Sequence, residues 1–135
     1  MKWLLDTNVL SELTKAIPDP AVEQWLRREG DQSAIDPIVI GELKFGILLL
    51  PKGARRKRLE QWFDDGASKM QCLPWDRDTG LEWAALLARL RSKGLSMPLR
   101  DSMIAATGLV HKLTVVTRNT RDFKSTGVAL LNPFA

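Results

Sequence analysis

Short apolar runs alternate with longer stretches of helical periodicity along the whole chain, and this alternation constrains the fold more than any other feature. Lys2–Leu5, Gln32–Ile35, Met70–Leu73, Leu113–Thr117 and Val128–Asn132 read as strands. Between them, Thr7–Ala16, Pro20–Gly30, Pro37–Leu50, Ala54–Lys69, Asp76–Gly94 and Arg100–Val110 read as helices, from apolar residues spaced three or four apart and from their caps. Strands separated by helices line up in parallel, with helices packed on both faces of the sheet. The predicted architecture is a three-layer α/β/α domain with a central parallel sheet of four to five strands. Asp19 and Pro20 are placed to start the second helix and Gly30 to stop it. "RNTRDF", after Thr117, reads as a loop, and Asp36 before Pro37 as the end of a strand.

With 135 residues the chain has the length of one domain, residues 1–135, and no linker, repeat or low-complexity run divides it. A formal net charge of +4 leans mildly toward polyanionic partners. Cys72 is the only cysteine, which excludes an intrachain disulfide and fits a reducing compartment. Lys2–Leu5 is too short for a secretory signal, and no apolar segment approaches the ~18 residues of a membrane span. A soluble, cytoplasmic protein with no membrane partner is expected.

In open parallel sheets the ligand site lies beyond the carboxyl ends of the strands. Asp6 directly follows the first strand and falls on that edge; Asn119 and Asp122 follow Leu113–Thr117 and fall on the same edge. Glu42 lies within the helix after the second strand, among Ile40, Leu43 and Phe45. Asp101 opens the last helix behind Pro98, where the positive helix end favours an anion. Singly, each has a plain structural reading: Asp6 as a helix cap, Glu42 as a solvated helix residue, Asp101 as a first-turn acid, Asp122 as a turn residue. Jointly they say more. Close carboxylates repel by about 3–4 kcal/mol per pair at an effective dielectric of 20. A fold that gathers them needs divalent cations or abnormal protonation. All-oxygen sites suit Mg²⁺ or Mn²⁺, and such ions promote phosphodiester hydrolysis. Periodicity alone does not bring the four acids together.

"LLDTNVLSEL", "IVIGELKFGI", "RDSMIAATGLVHKLTVVTRNTRDF" and "GVALLNP" resemble the motifs of PIN-domain proteins, specifically VapC-type toxins. The likeness runs nearly the full length and is weakest between Pro51 and Gly94. It implies a compact α/β/α fold and Mg²⁺- or Mn²⁺-dependent endoribonuclease activity. It also implies that Asp6, Glu42 and Asp101 form the catalytic metal site. A fourth acid comes from the loop after the fourth strand. Many relatives carry Asp where Asn119 stands, while a subgroup with "RNxxDF" has Asn there and Asp three residues on, so Asp122 is assigned as the fourth acid and Asn119 as its support. Thr7 and Thr117 are candidate supports for the carboxylates, and Asp36 is a candidate extra acid. Capping of the first helix is assigned to Thr7 or Asn8, leaving Asp6 to face a metal. Arg100, Arg118 and Arg121 are placed at the rim to hold the RNA backbone.

Toxins of this type pair with a small DNA-binding antitoxin that blocks the acidic site, often with a basic side chain, and two toxin chains commonly pair as a homodimer. Trp25 and Trp62 are the candidate interface residues. Two rival readings stand beside the nuclease. An aspartyl-phosphate phosphatase needs a second Asp two residues after the first, and Asn8 stands there. The other is a non-catalytic or weakly catalytic PIN-fold partner in a DNA-bound regulatory complex. His111, the only histidine, reads as structural, and the basic run Arg55–Arg58 as a solvated helix face with RNA contact as the minority reading.

Overall fold

The computed structural model describes residues 1–135. Four strands form one parallel sheet: β1 (Trp3–Leu5), β2 (Ser33–Ala34), β3 (Thr114–Val116) and β4 (Leu130–Leu131), in the order β2-β1-β3-β4. Leu4 pairs with Ala34 on one side and Val115 on the other, and Val116 with Leu131. Successive strand residues point to opposite faces. Leu4, Leu5, Val115 and Val116 are all fully buried, so both faces of the sheet are covered, as a three-layer fold requires. The Met70–Leu73 run adds only an isolated parallel bridge, Ile35 with Cys72, beyond β2. The expected fifth strand is thus reduced to a single rung.

The helices are α1 (Thr7–Ser11), α2 (Pro20–Glu29), α3 (Pro37–Leu48), α4 (Ala54–Asp65), α5 (Arg77–Ser92), α6 (Leu99–His111) and α7 (Thr120–Phe123). None is long and apolar enough to cross a membrane. Asp19 caps α2 by accepting the Ala21 N–H at 2.9 Å, with Pro20 at its first position. Two expectations need correction. "RNTRDF" is not all loop: Phe123, fully buried, pulls Thr120–Phe123 into the single turn α7. Asp36 does more than end a strand. Its Oδ1 caps α3 through the Val39 N–H (3.0 Å), and its Oδ2 accepts the Thr107 hydroxyl of α6 (2.9 Å), so one buried carboxylate joins two helices.

Helix α6 seats on the sheet through Gly108. A Cβ there would stand 2.9 Å from Val128 Cγ2 and 3.0 Å from Val115 Cγ2, so only glycine lets the backbone lie this close. The other end of α6 is held from α5 and from the segment just before it. Trp83 Nε1 donates to Ser102 Oγ (3.0 Å) and Trp75 Nε1 to the Met103 carbonyl (3.2 Å), while the two indoles meet edge to face. These two tryptophans thus serve the scaffold, fixing the helix turn that carries Arg100 and Asp101.

Candidate active site

The end of β1 places Asp6 at the carboxyl edge of the sheet, fully buried. Its Oδ1 accepts the Thr7 N–H at 2.7 Å, so Asp6 itself caps α1, correcting the assignment of that task to Thr7 or Asn8. Its Oδ2 accepts the Thr117 hydroxyl at 2.8 Å and Asn8 Nδ2 at 3.3 Å. The Thr117 oxygen in turn accepts the Asn119 N–H at 3.0 Å and lies 3.3 Å from Asn8 Nδ2. A buried carboxylate with several donors is held in one orientation. Asn8 was missed as a site residue; its Oδ1 also accepts the Arg118 N–H (3.1 Å), tying α1 to the end of β3. Its signal was its place two residues after a strand-end acid, read above only as a helix cap and as a mark against a phosphatase.

Glu42 reaches the same edge from α3, half-buried, and its Oε1 accepts the Thr7 hydroxyl at 2.6 Å. Asp101 arrives from the first turn of α6 and is buried. One guanidinium joins all three acids. Arg100 Nε donates to Glu42 Oε2 at 2.6 Å, Nη2 to Asp6 Oδ1 at 2.6 Å, and Nη1 to Asp101 Oδ1. Nη2 also lies 3.2 Å from Thr7 Oγ1. The expectation that Arg100 stands at the rim is therefore corrected: it sits at the centre of the acids. Partial burial works against its charge, but the bond to Glu42 and the charge of Asp6 outweigh this and push the guanidinium up. Burial raises Asp101 above the ordinary carboxylate range; Arg100 opposes this, and the charges of Asp6 and Asp122 add to it.

The remaining candidates lie farther out. Asp122 is exposed on α7 and reaches the cluster through its charge on Asp101 rather than by a bond. Asn119 contributes its backbone N–H to Thr117. Arg118 stacks its guanidinium 4.8 Å from the Phe134 ring centre, and Arg121 lies exposed on α7. Asp36 is fully buried on Thr107, outside the Arg100 contacts; burial pushes it up, against the bonds from Val39 and Thr107. His111 ends α6 at the pole opposite Asp101. Trp25 is buried edge to face against Trp3, which corrects its placing at an interface. Trp62 is half-buried and lines a cleft of 310 Å³ running from Thr7 and Glu42 past Leu43 and Ile47 to Arg55.

No three acids are placed to hold a metal ion directly; the Arg100 fork stands among Asp6, Glu42 and Asp101 instead. Their oxygens nevertheless converge on one cation. That donor set, carboxylate oxygen throughout, is the chemistry hard divalent ions prefer.

A parallel sheet that gathers acids from β1, α3 and α6 on its carboxyl edge defines a class, and sequence comparison agrees with it. The PIN-domain family model matches residues 3–129, and the chain belongs to that family. Its relatives there include named ribonucleases and a toxin. It is 35% identical to the VapC ribonuclease Y4jK of Sinorhizobium fredii, over 97% of this chain and 96% of that protein. It is 31% identical to Toxin FitB of Neisseria gonorrhoeae, over 97% of each. The solved structure of FitAB bound to an IR36 DNA fragment superposes with a TM-score of 0.92 at 29% identity, covering 98% of this chain and 96% of that one.

Proposed function

We propose that this PIN-domain protein is the toxin of a type II toxin–antitoxin pair and cleaves RNA phosphodiester bonds with the help of Mg²⁺ or Mn²⁺. The observation that carries the reading is the convergence of Asp6, Glu42 and Asp101 on one cation at the sheet edge. It is supported by full-length likeness to a VapC ribonuclease. Asp6, Glu42 and Asp101 would hold the ion, with Asp122 and Asn119 on the open side. Such an ion, when bound, supplies Lewis-acid stabilisation of phosphoryl charge and activation of water. The chain's own groups do the rest. Thr117 and Asn8 fix the Asp6 carboxylate, and Thr7 fixes Glu42. Arg118 and Arg121, exposed beside the acids on the chain, offer charge to the RNA backbone.

The solved relatives are complexes of a toxin with its antitoxin, some bound to DNA. A small DNA-binding antitoxin is the partner this reading assigns, and the cleft from Glu42 to Arg55 offers it an apolar floor next to the acids. Pairing of two chains belongs to the same reading. Phe45 on α3 and Leu49 at its C-cap, 62% and 68% exposed, replace Trp25 as the apolar surface for it. The cytoplasm, where RNA is found, is the compartment it requires.

The test is to incubate the purified protein with total cellular RNA and Mg²⁺ or Mn²⁺, beside Asp6→Asn and a chelator control. Cleavage is expected to fall by roughly a hundredfold or more in the variant, since loss of even a supporting group costs 10–100-fold at metal sites. Cleavage that survives both the variant and the chelator sinks the mechanism. No cleavage of any RNA by a protein that binds Mn²⁺ favours the non-catalytic regulatory reading.

A further inference from the structure

Arg100 and Asp101 are neighbours on one helix turn, and adjacent helix residues do not ordinarily face each other. Here the Arg100 side chain curls back so that all three guanidinium nitrogens meet carboxylates, from β1, α3 and its own helix. No other basic side chain in the protein contacts Asp6, Glu42 or Asp101. The planar fork suits this, because each nitrogen takes a separate acid, which a lysine ammonium cannot match in the same geometry.

The guanidinium and a shared divalent ion cannot occupy this place together. The Nε and Nη2 contacts are 2.6 Å from nitrogen to oxygen, with the guanidinium carbon farther in. Mg²⁺ takes its oxygens at about 2.0–2.1 Å, so the carboxylates must draw inward around it. While the fork stands between them, they do not form a cage. The charges set the direction of exchange. One positive charge faces three carboxylates, which leaves the cluster under-neutralised and open to a doubly charged ion. The route out is also present, since the Arg100 side chain is one-third exposed while Asp6 is sealed.

We infer that Arg100 is an internal competitor of the divalent ion: it holds the three acids together before the ion binds, and must be expelled for the ion to enter. The inference rests on the metal-dependent reading above. Arg100 is on this account a positioning residue that sets the ion concentration at which the site loads, doing within the chain what an antitoxin's basic side chain would do from outside.

The test is calorimetric titration of the purified protein with Mn²⁺, beside Arg100→Gln, Arg100→Lys and Asp6→Asn. Arg100→Gln is expected to bind Mn²⁺ at least about tenfold more tightly, the scale on which groups around a metal tune its affinity. Its ion-free form should melt at lower temperature, with Mn²⁺ restoring the loss. Arg100→Lys keeps the charge without the fork and should fall between the two, a second measurement should the glutamine variant not fold. In the wild type, the Arg100 Nε–H resonance should lose its hydrogen-bonded shift as Mg²⁺ saturates. Equal or weaker Mn²⁺ binding by both Arg100 variants, with binding lost in Asp6→Asn, overturns the competitor and leaves the metal site standing. An Nε–H resonance unmoved at saturating Mg²⁺ overturns it as well. No ion binding by any of the proteins overturns both this inference and the reading it rests on.

Discussion

Replacing Gly108 by alanine puts a methyl group between α6 and the sheet, and the structure says what it meets. The new Cβ lies 2.9 Å from Val128 Cγ2 and 3.0 Å from Val115 Cγ2, inside the 3.4–4 Å of ordinary contact. Neither methyl can step aside easily. Val115 is fully buried in β3, Val128 is nearly so, and β-branched side chains have little freedom at χ1. Overpacking of this kind costs about 1–3 kcal/mol. Against it stands the helix preference for alanine over glycine, about 1 kcal/mol at most. The net expectation is a loss of about 1 kcal/mol, or about 3–5 °C in Tm for a domain of this length. Gly41 supplies the control. It lies inside α3 with nothing within 4 Å of its Cβ position, so Gly41→Ala keeps only the gain, about 0.5–1 kcal/mol. Both substitutions change the unfolded chain alike, so their difference isolates the packing. Urea and thermal melts followed by fluorescence of the five tryptophans measure it. If Gly108→Ala is as stabilising as Gly41→Ala, the spacing of α6 is not set by these two methyls and the argument is wrong.

Thr117→Val removes the hydroxyl that Asp6 Oδ2 accepts, leaving the buried carboxylate short of a donor. A stability loss of about 1–3 kcal/mol is expected, with a drop of roughly 10–100-fold in RNA cleavage. Denaturation unchanged from the wild type would show that the bond carries no weight. Asp36→Asn tests the buried acid between α3 and α6. Burial raises the folded pKa of Asp36 above its ordinary value of 3.8, so its stabilising share is full below that value and is lost as pH rises through the folded one. Asparagine removes this titration and still caps α3. The Tm of Asp36→Asn relative to wild type should therefore rise as the pH climbs from 3.8 through the raised folded pKa. A difference that stays constant over that range contradicts the sign.

The strand–helix alternation, the cap of α2 and the placing of Asp6 were legible because each depends on residues close in sequence. Asp19 and Pro20 announce α2 by local chemistry, and Leu4-Leu5 before Asp6 announce a strand with an acid at its end. The acids from α3 and α6 were supplied by resemblance, since no local pattern says that Glu42 and Asp101 share a cation. Arg100 was misplaced for a related reason: a charged residue in a first helix turn reads as surface, and only the crossing of β1, α3 and α6 turns it inward. The α7 turn was hidden by a polar sequence in which Phe123 alone supplies the buried anchor. Met70–Leu73 had strand composition, but only Cys72 finds a bridge partner in the sheet.

The strand order has a consequence for the protein's birth on the ribosome. β1, made before the other three strands, lies in the interior of the sheet, and its second neighbour, β3, follows only after α1 to α6. Thr117, which holds Asp6, and Arg100 and Asp101, which face it, are all made long after Asp6. Pairings this distant in sequence form late, because the long loop must close before they repay its entropy. A nascent chain therefore presents Asp6 long before it presents a site. Its destructive chemistry is withheld until α6 and Thr117 beyond β3 have also been made.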